Sequence, residues 1–199
     1  MLEDQLGKEK TASILASLNK APKQSVRANI AKISQADLLQ DLEKDGFDAE
    51  PSKVSSEGII IKDGQIIHSS FFSDGLLTIQ DESAMLPVES MNISPSDNIL
   101  DACSAPGGKT TQIASRLDGG KVFALDIHKN KLKTVQRNAT RLGLYKKVET
   151  FELDARKVDS KFEDGMFDSI LVDAPCSGLG LLRRKPEIRY DKTIATLTG

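Results

Sequence analysis

The stretch Asn98-Ile-Leu-Asp-Ala-Cys-Ser-Ala-Pro-Gly-Gly-Lys-Thr-Thr111 decides the fold. Its apolar start reads as a short strand over 98–102, its Pro-Gly-Gly centre as a tight loop, and the residues from Gly108 as a helix running to 117. The same alternation continues outward from it. A strand over 121–125 leads to a helix over 129–142, with Gly143 just past its last turn, and strands follow over 148–153 and 168–172. Strands alternating with helices predict a parallel sheet covered on both faces. Ligands of such sheets sit beyond the carboxyl ends of the strands. Each of those ends carries an acid: Asp101, Asp126, Asp154 and Asp173.

Upstream the pattern changes. A helical stretch over 4–19, with Leu6, Ile14, Leu15 and Leu18 as its apolar positions, is stopped by Pro22. Residues 25–32 alternate as a strand with Val26, Ala28 and Ile30 on one face. Ser34 suits an N-cap for a helix bearing Leu38, Leu39 and Leu42 and closed by Gly46. Residues 57–62 read as a strand, turned by Asp63-Gly64 into a returning hairpin arm over 65–68. The expected division is a small α+β unit over 1–74 and an α/β domain over 75–199.

Composition sets the outer limits. The 199 residues carry 27 Lys+Arg against 29 Asp+Glu and are 39% hydrophobic, as in ordinary globular proteins. This balance excludes a strongly basic nucleic-acid binder of the histone or ribosomal type, but not a local basic surface. No apolar run approaches the ~18–20 residues of a membrane helix, so no membrane partner is expected. The N-terminus lacks the layout of a secretory signal. Two cysteines, Cys103 and Cys176, make no disulfide framework, and a reduced, cytoplasmic setting follows. Through Asp74 the chain holds 9 basic and 12 acidic side chains, and from Gly75 onward 18 and 17.

Three chemistries compete for the loop after Asp101. A phosphate-wrapping G-x-x-x-x-G-K-[ST] loop fits at Gly108-Lys109-Thr110, but Cys103 stands where its first glycine belongs, and the tight turn is lost. A dinucleotide loop needs G-x-G-x-x-G, which is absent. An S-adenosylmethionine loop has no phosphate to wrap and needs only a close backbone approach, which Gly107 and Gly108 permit. A plain helix-capping turn is the bland alternative. The other strand ends favour the third reading. Asp126 suits the two hydroxyls of a ribose and would repel a 2′-phosphate, and Asp154 suits an adenine amino group. Each acid alone is more often a helix cap, but three in register beside a double glycine are harder to dismiss. After the fourth strand, Pro175 forces the chain out of the sheet, which brings Asp173 and Cys176 toward the same crevice.

With these residues in view, a resemblance is clear. Asp101-Ala-Cys-Ser-Ala-Pro-Gly-Gly-Lys-Thr-Thr111, Leu125-Asp126, Asp154-Ala-Arg156 and Asp173-Ala-Pro-Cys-Ser-Gly-Leu-Gly180 resemble the RNA 5-methylcytosine methyltransferases, in particular those of small-subunit ribosomal RNA. Ser25-Val-Arg-Ala-Asn29, Gly75-Leu-Leu-Thr-Ile-Gln-Asp-Glu-Ser83 and Arg183-Arg-Lys-Pro-Glu-Ile-Arg189 extend the resemblance over nearly the whole chain. It implies an α/β, Rossmann-like S-adenosylmethionine-dependent methyltransferase domain, preceded by a small α+β RNA-binding subdomain. It further implies that Cys103, Ser104, Ala105, Pro106, Gly107, Gly108, Lys109, Asp126, Asp154 and Asp173 contact the cofactor.

The chemistry of that family accounts for its cysteines. Carbon-5 of cytosine is a poor nucleophile. A thiolate added to carbon-6 makes an enamine-like intermediate whose carbon-5 can attack a sulfonium methyl group, after which a base removes the carbon-5 proton and the thiol leaves. Asp173 is the expected residue for base handling or ring stabilisation, and the target base must be unstacked. In the family the attacking thiol lies in a later Thr-Cys-Ser-type motif, and the Pro-Cys cysteine, here Cys176, assists product release. No cysteine follows Cys176 before Gly199. The chain therefore reads as truncated at its C-terminus, without the nucleophile and the last strands, and with little turnover alone. The alternative is that Cys176 is itself the nucleophile.

For RNA, Arg183, Arg184, Lys185 and Arg189, with Lys192, face only Glu187 and Asp191 and form the preferred contact. Arg27 and the nearby Lys23 add one from the small unit. Lys129, Lys133, Arg137 and Arg141 recur every four residues, a pattern better read as a solvated helix face. His68 and His128 show no metal-ligand spacing with either cysteine, so no metal is expected. A monomer is the expected state. Two further functions stay open: a cofactor- and RNA-binding fragment without turnover, and a small-molecule methyltransferase on the same fold.

Overall fold

The computed structural model describes residues 2–19 and 24–175. Residues 24–174 form one unit that carries two sheets. The N-terminal helix α1 (Leu2–Leu18) belongs to a separate unit and is interrupted at Gly7, whose φ is 76°.

The first sheet is built from β1 (Gln24–Ala28), β2 (Ala49–Pro51), β3 (Gly58–Ile61) and β4 (Leu77–Ile79), all antiparallel, in the order β2-β3-β1-β4. Helix α2 (Gln35–Lys44) lies between β1 and β2 in the chain, and a short α3 (Ser70–Ser73) lies between β3 and β4. This is the strand order of a split βαβ, ferredoxin-like unit. Ser34 caps α2 as expected, its side chain accepting from the Asp37 backbone N–H at 3.1 Å. Leu38 and Leu42, four apart on one face of α2, are fully buried against Val26, Ala28, Ile59, Ile61 and Leu77. The last strand of this sheet, β4, lies beyond residue 74.

Two expectations fail here. Residues 65–68 do not return as a hairpin arm: Ile66–His68 forms a 3₁₀ turn that drops Ile66 into the core. The reason is that β1 and β2 already occupy the two edges of β3, which leaves an arm nothing to pair with. The first strand stops at Ala28, because the Asn29 carbonyl accepts from the amides of Lys32 and Ile33 and turns the chain. Ile30 is consequently exposed.

After α4 (Glu82–Glu89) comes the second sheet, with β5 (Asn98–Asp101), α5 (Gly108–Arg116), β6 (Lys121–Asp126), α6 (Lys129–Arg141), β7 (Val148–Glu152) and β8 (Ser169–Leu171). All its strands are parallel, in the order β7-β6-β5-β8. The chain steps outward from β5 to β7, then crosses back to lay β8 on the other side of β5. That reversal opens a crevice at the carboxyl end of β5.

Alternation along β5 and β6 sorts the core into two layers. Ile99 and Val122 pack with Ile113, Ala114, Leu117 and Val88. Leu100, Phe123 and Leu125 face the other way, into Phe151, Phe162 and Phe167. The four rings meet at centroid distances of 5.1 Å (Phe151–Phe162) to 6.0 Å (Phe123–Phe151), mostly edge to face. On α6 the stripe Leu132, Val135 and Ala139 is buried, and Lys129, Lys133 and Arg137 are exposed. Arg141 departs from that face. It donates to the carbonyls of Phe72 (2.6 Å) and Leu77 (3.0 Å) and lies 3.9 Å over the Phe72 ring. Among the described residues no helix is long and apolar enough to cross a membrane.

The two sheets are also joined by Asn29, whose side-chain N–H groups donate to the carbonyls of Gly75 (2.8 Å) and Leu142 (2.9 Å). Gly75 has φ +68°, and a Cβ there would stand 2.1 Å from the Arg141 carbonyl oxygen. Gly75→Ala is expected to cost about 2–4 kcal/mol. Gly46→Ala, at φ +88° with nothing within 4 Å, should cost about 1 kcal/mol. Urea denaturation of the pair checks this, and equal costs would show that the close approach at Gly75 does not matter.

Candidate cofactor crevice

The loop from Ala102 to Gly107 is held from three sides. Ser104 donates twice to the Leu125 carbonyl, from its amide (2.8 Å) and its hydroxyl (2.9 Å), which hooks the loop onto the end of β6. Asn138 of α6 donates to the Pro106 carbonyl at 2.9 Å. Thr110 of α5 donates to Asp101 Oδ2 at 2.7 Å. The two glycines differ in what they do. Gly107 has φ +104°, and a Cβ there would press on Val135 Cα at 3.1 Å, so backbone conformation and helix packing both require it. A Cβ on Gly108 would meet only the Gln80 side chain at an ordinary 3.5 Å.

A hollow of about 180 Å³ opens beside the loop. Asp101, Cys103, Lys109 and Asp173 line it, together with Ile79 of β4, Gln80 and Ala84 of α4. Lys109 Nζ donates to Asp173 Oδ2 at 2.6 Å and fixes that carboxylate at the end of β8. A second hollow of about 280 Å³, lined by Ala105, Pro106, Lys131 and Thr134, lies against the same loop. Sequence reasoning missed Gln80, Ala84 and Lys131. Gln80 lies in a stretch already singled out, but nothing local distinguishes it from a surface glutamine, and Lys131 sits among other solvated lysines.

The acids around the loop are not alike. Burial pushes the Asp101 carboxyl up to about 6, against the pull of the Thr110 hydrogen bond and the Lys109 charge. Its Oδ1 is buried with no hydrogen-bond partner among the described residues. Asp126 accepts from the His128 amide at 2.8 Å through Oδ1. Asp154 caps the turn Ala155–Ser160, and its carboxylate is gripped by Arg156, which holds it down at about 2. Burial, then the negative charges of Asp101, Asp126, Asp173 and Asp154, push the Cys103 thiol above its ordinary value. Cys103 is thus poorly suited to be a thiolate nucleophile. Asp101 and Asp173 line the hollow beside Cys103, whereas Asp126 and Asp154 are not among its lining residues and reach the thiol only through their charge.

Arg27 corrects an expectation. It is 1% exposed and donates inward to Gln80, Gly108 and Thr111, so it presents no cation to RNA. Cys176, Arg183, Arg184, Lys185, Arg189, Lys192 and Lys23 lie outside the described residues.

A parallel sheet with this switch-point crevice, behind a small antiparallel unit, is the architecture of a Rossmann-like methyltransferase with an N-terminal appendage. Residues 88–198 match the family described as 16S rRNA methyltransferase RsmB/F, and residues 1–68 match an RsmF/B-like, ferredoxin-like domain. The chain belongs to the 16S rRNA methyltransferase RsmB/F family. It is 41% identical over 172 residues to the probable ribosomal RNA small subunit methyltransferase B of Bacillus subtilis (strain 168), covering 86% of this chain and 38% of that protein. It is 36% identical over 190 residues to the ribosomal RNA small subunit methyltransferase B of Serratia proteamaculans (strain 568), covering 94% and 44%. The crystal structure of a methyltransferase homolog protein from Pyrococcus horikoshii superposes with a TM-score of 0.81 at 30% identity, covering 96% of this chain and 60% of that one. The chain thus spans less than half the length of these two curated relatives.

Because the folded chain holds the Asp101 proton more tightly than the unfolded chain does, the resulting stabilisation is complete below about pH 4. It is lost as pH rises through about 6. Relative to Asp101→Asn, the wild-type unfolding free energy should fall by about 2–3 kcal/mol between pH 4 and pH 7. Denaturant melts across that range test this, and parallel curves for the two proteins would refute it.

Proposed function

We propose that the crevice binds S-adenosylmethionine, and that the chain is the cofactor-binding and part of the RNA-binding portion of a methyltransferase acting on carbon-5 of a cytosine in small-subunit ribosomal RNA. The observation that carries this reading is a hollow at the switch point of a parallel sheet, lined by the Asp101–Lys109 loop and Asp173, with Asp126 and Asp154 at the ends of the neighbouring strands. The residues suit the cofactor. Asp126 keeps acceptor capacity for ribose hydroxyls beyond its one bond to His128. Next to it Ile127, 59% exposed, offers an apolar face to a flat base. Asp154 contributes to the adenine end while it also caps its own turn. When bound, the cofactor supplies an activated methyl group on sulfonium sulfur.

In this reading the chain's own residues do the holding. Ser104, Asn138 and Thr110 shape the loop, and Gly107 lets α6 approach it. Asp173, fixed by Lys109, presents a carboxylate to the ring of an unstacked cytosine. Cys176 assists release of the methylated base. Arg183, Arg184, Lys185 and Arg189 hold RNA phosphates. The domain division proposed is a small unit that runs on through β4 rather than ending at residue 74, followed by the methyltransferase domain. With no cysteine after Cys176, the 199-residue chain binds cofactor and turns over little by itself. The setting proposed is the cytoplasm and the state a monomer.

Calorimetric titration with S-adenosylmethionine should give saturable heat, and titration with ATP none. Heat with ATP alone would overturn the assignment. Asp126→Ala should weaken binding about tenfold or more, as loss of charged hydrogen bonds to two hydroxyls requires. Binding to unmodified ribosomal RNA should fall steeply between low and physiological salt, and a flat salt dependence would remove the basic segment after Cys176 from the RNA surface.

A further inference from the structure

We propose that Arg27 is a positioning residue for the crevice, pinning Gln80 and the first turn of α5 to one another and so setting how the double-glycine loop meets its ligand. The geometry rests on one atom. Arg27 Nη1 donates both to the side-chain oxygen of Gln80, which follows β4, and to the carbonyl of Gly108, which opens α5, the latter at 2.6 Å, and both residues line the hollow. Its Nη2 donates to Thr111 Oγ1 at 3.0 Å, and that hydroxyl lies 2.7 Å from the Gly107 carbonyl it donates to. One buried side chain of the small sheet therefore reaches Gly108 and Gln80 directly and Gly107 through Thr111.

The alternative, an ordinary buried ion pair, does not describe these contacts. Arg27 Nε stands 4.0 Å from Glu57 Oε2, beyond hydrogen-bond range, and is left without a partner among the described residues. Glu57 is instead engaged by Arg116, at 2.6 and 3.0 Å. A cation at the first turn of α5 also opposes the helix dipole, so charge alone does not explain its place. The planar fork does: it supplies several donors in fixed directions, which a lysine with the same charge cannot reproduce. Gln80 is itself locked, its amide N–H groups donating to the Ala84 carbonyl (3.0 Å) and to Gln112 Oε1 (3.1 Å). The Gln80 side chain that Arg27 grips is therefore stiff. Burial draws the guanidinium down to about 10, with Glu57 pulling the other way, which keeps it cationic at neutral pH.

The ligand class, an S-adenosyl compound, rests on the function proposed above, so the test has an arm independent of it. Arg27→Lys and Arg27→Met are made in the 199-residue chain. Amide hydrogen exchange is followed without ligand, and S-adenosylhomocysteine is titrated by calorimetry. In both variants the amides of 108–112 should exchange about tenfold faster or more, while those of β6 and β7 stay as in the wild type. Affinity for S-adenosylhomocysteine should fall about tenfold in the Met variant and several-fold in the Lys variant. Uniformly faster exchange across both sheets, with affinity unchanged, would mean a merely structural arginine and overturns the proposal. Absence of binding by the wild-type chain would sink the cofactor reading, and the ligand-free exchange pattern would still decide the role of Arg27. Should both Arg27 variants fail to fold, Thr111→Val removes the Nη2 acceptor at nearly constant shape. It should give the same local exchange change with an affinity loss of about threefold, and an unchanged exchange pattern in that variant would refute the proposal.

Discussion

A cation kept from water must be surrounded by acceptors, and the structure supplies them to Arg27 from Gln80, just after β4, and from Gly108 and Thr111 of α5. That constraint orders much of the rest. Gln80 must lie at the end of β4, Gly108 must open α5, and Thr111 must follow one turn later, for the guanidinium to be satisfied. Just past the end of β1, Asn29 makes a parallel demand at the other helix. Its amide donates to the Gly75 and Leu142 carbonyls and ties down the end of α6. Leaving such groups buried and unpaired would cost far more than the bonds themselves contribute. The two sheets are for that reason one mechanical object, and the crevice between β4 and the loop inherits its shape from their junction.

The second ordering principle is topological. Laying β8 beside β5 after β7 has been added on the far side creates one reversal of strand order, and the chemistry gathers there. Asp101 is buried and retains its proton into the mildly acidic range, whereas Asp154, gripped by Arg156, ionises far below it. Cys103, in the midst of the acids, is kept as a thiol. Carboxylates of one type are thereby given different characters by burial and partner alone. That is the property a site needs if some acids are to bind hydroxyls and others are to handle charge.

Local periodicity made much of the fold legible. The N-cap at Ser34, the buried stripe of α6 and the parallel strands ending in Asp101 and Asp126 each follow from spacing that one element settles for itself. The hairpin arm over 65–68 does not, because its absence depends on β1 and β2 having taken both edges of β3. Arg27 was misread for a related reason. An arginine in a strand is ordinarily solvated, and its acceptors lie 53 residues away at Gln80 and 81 away at Gly108. The contribution of Ile79 and Ala84 to the crevice is invisible in the same way, since neither carries a chemical signal of its own.

By itself the sequence determined the class of fold, the place of the loop, the acids that surround it and the family, because these are written in local period and in a contiguous motif. Tertiary structure alone decided which side chains face the crevice, which acid is buried, and that a basic residue of the small unit points inward. Those outcomes depend on desolvation and on acceptors brought from distant parts of the chain, and no window of sequence contains them.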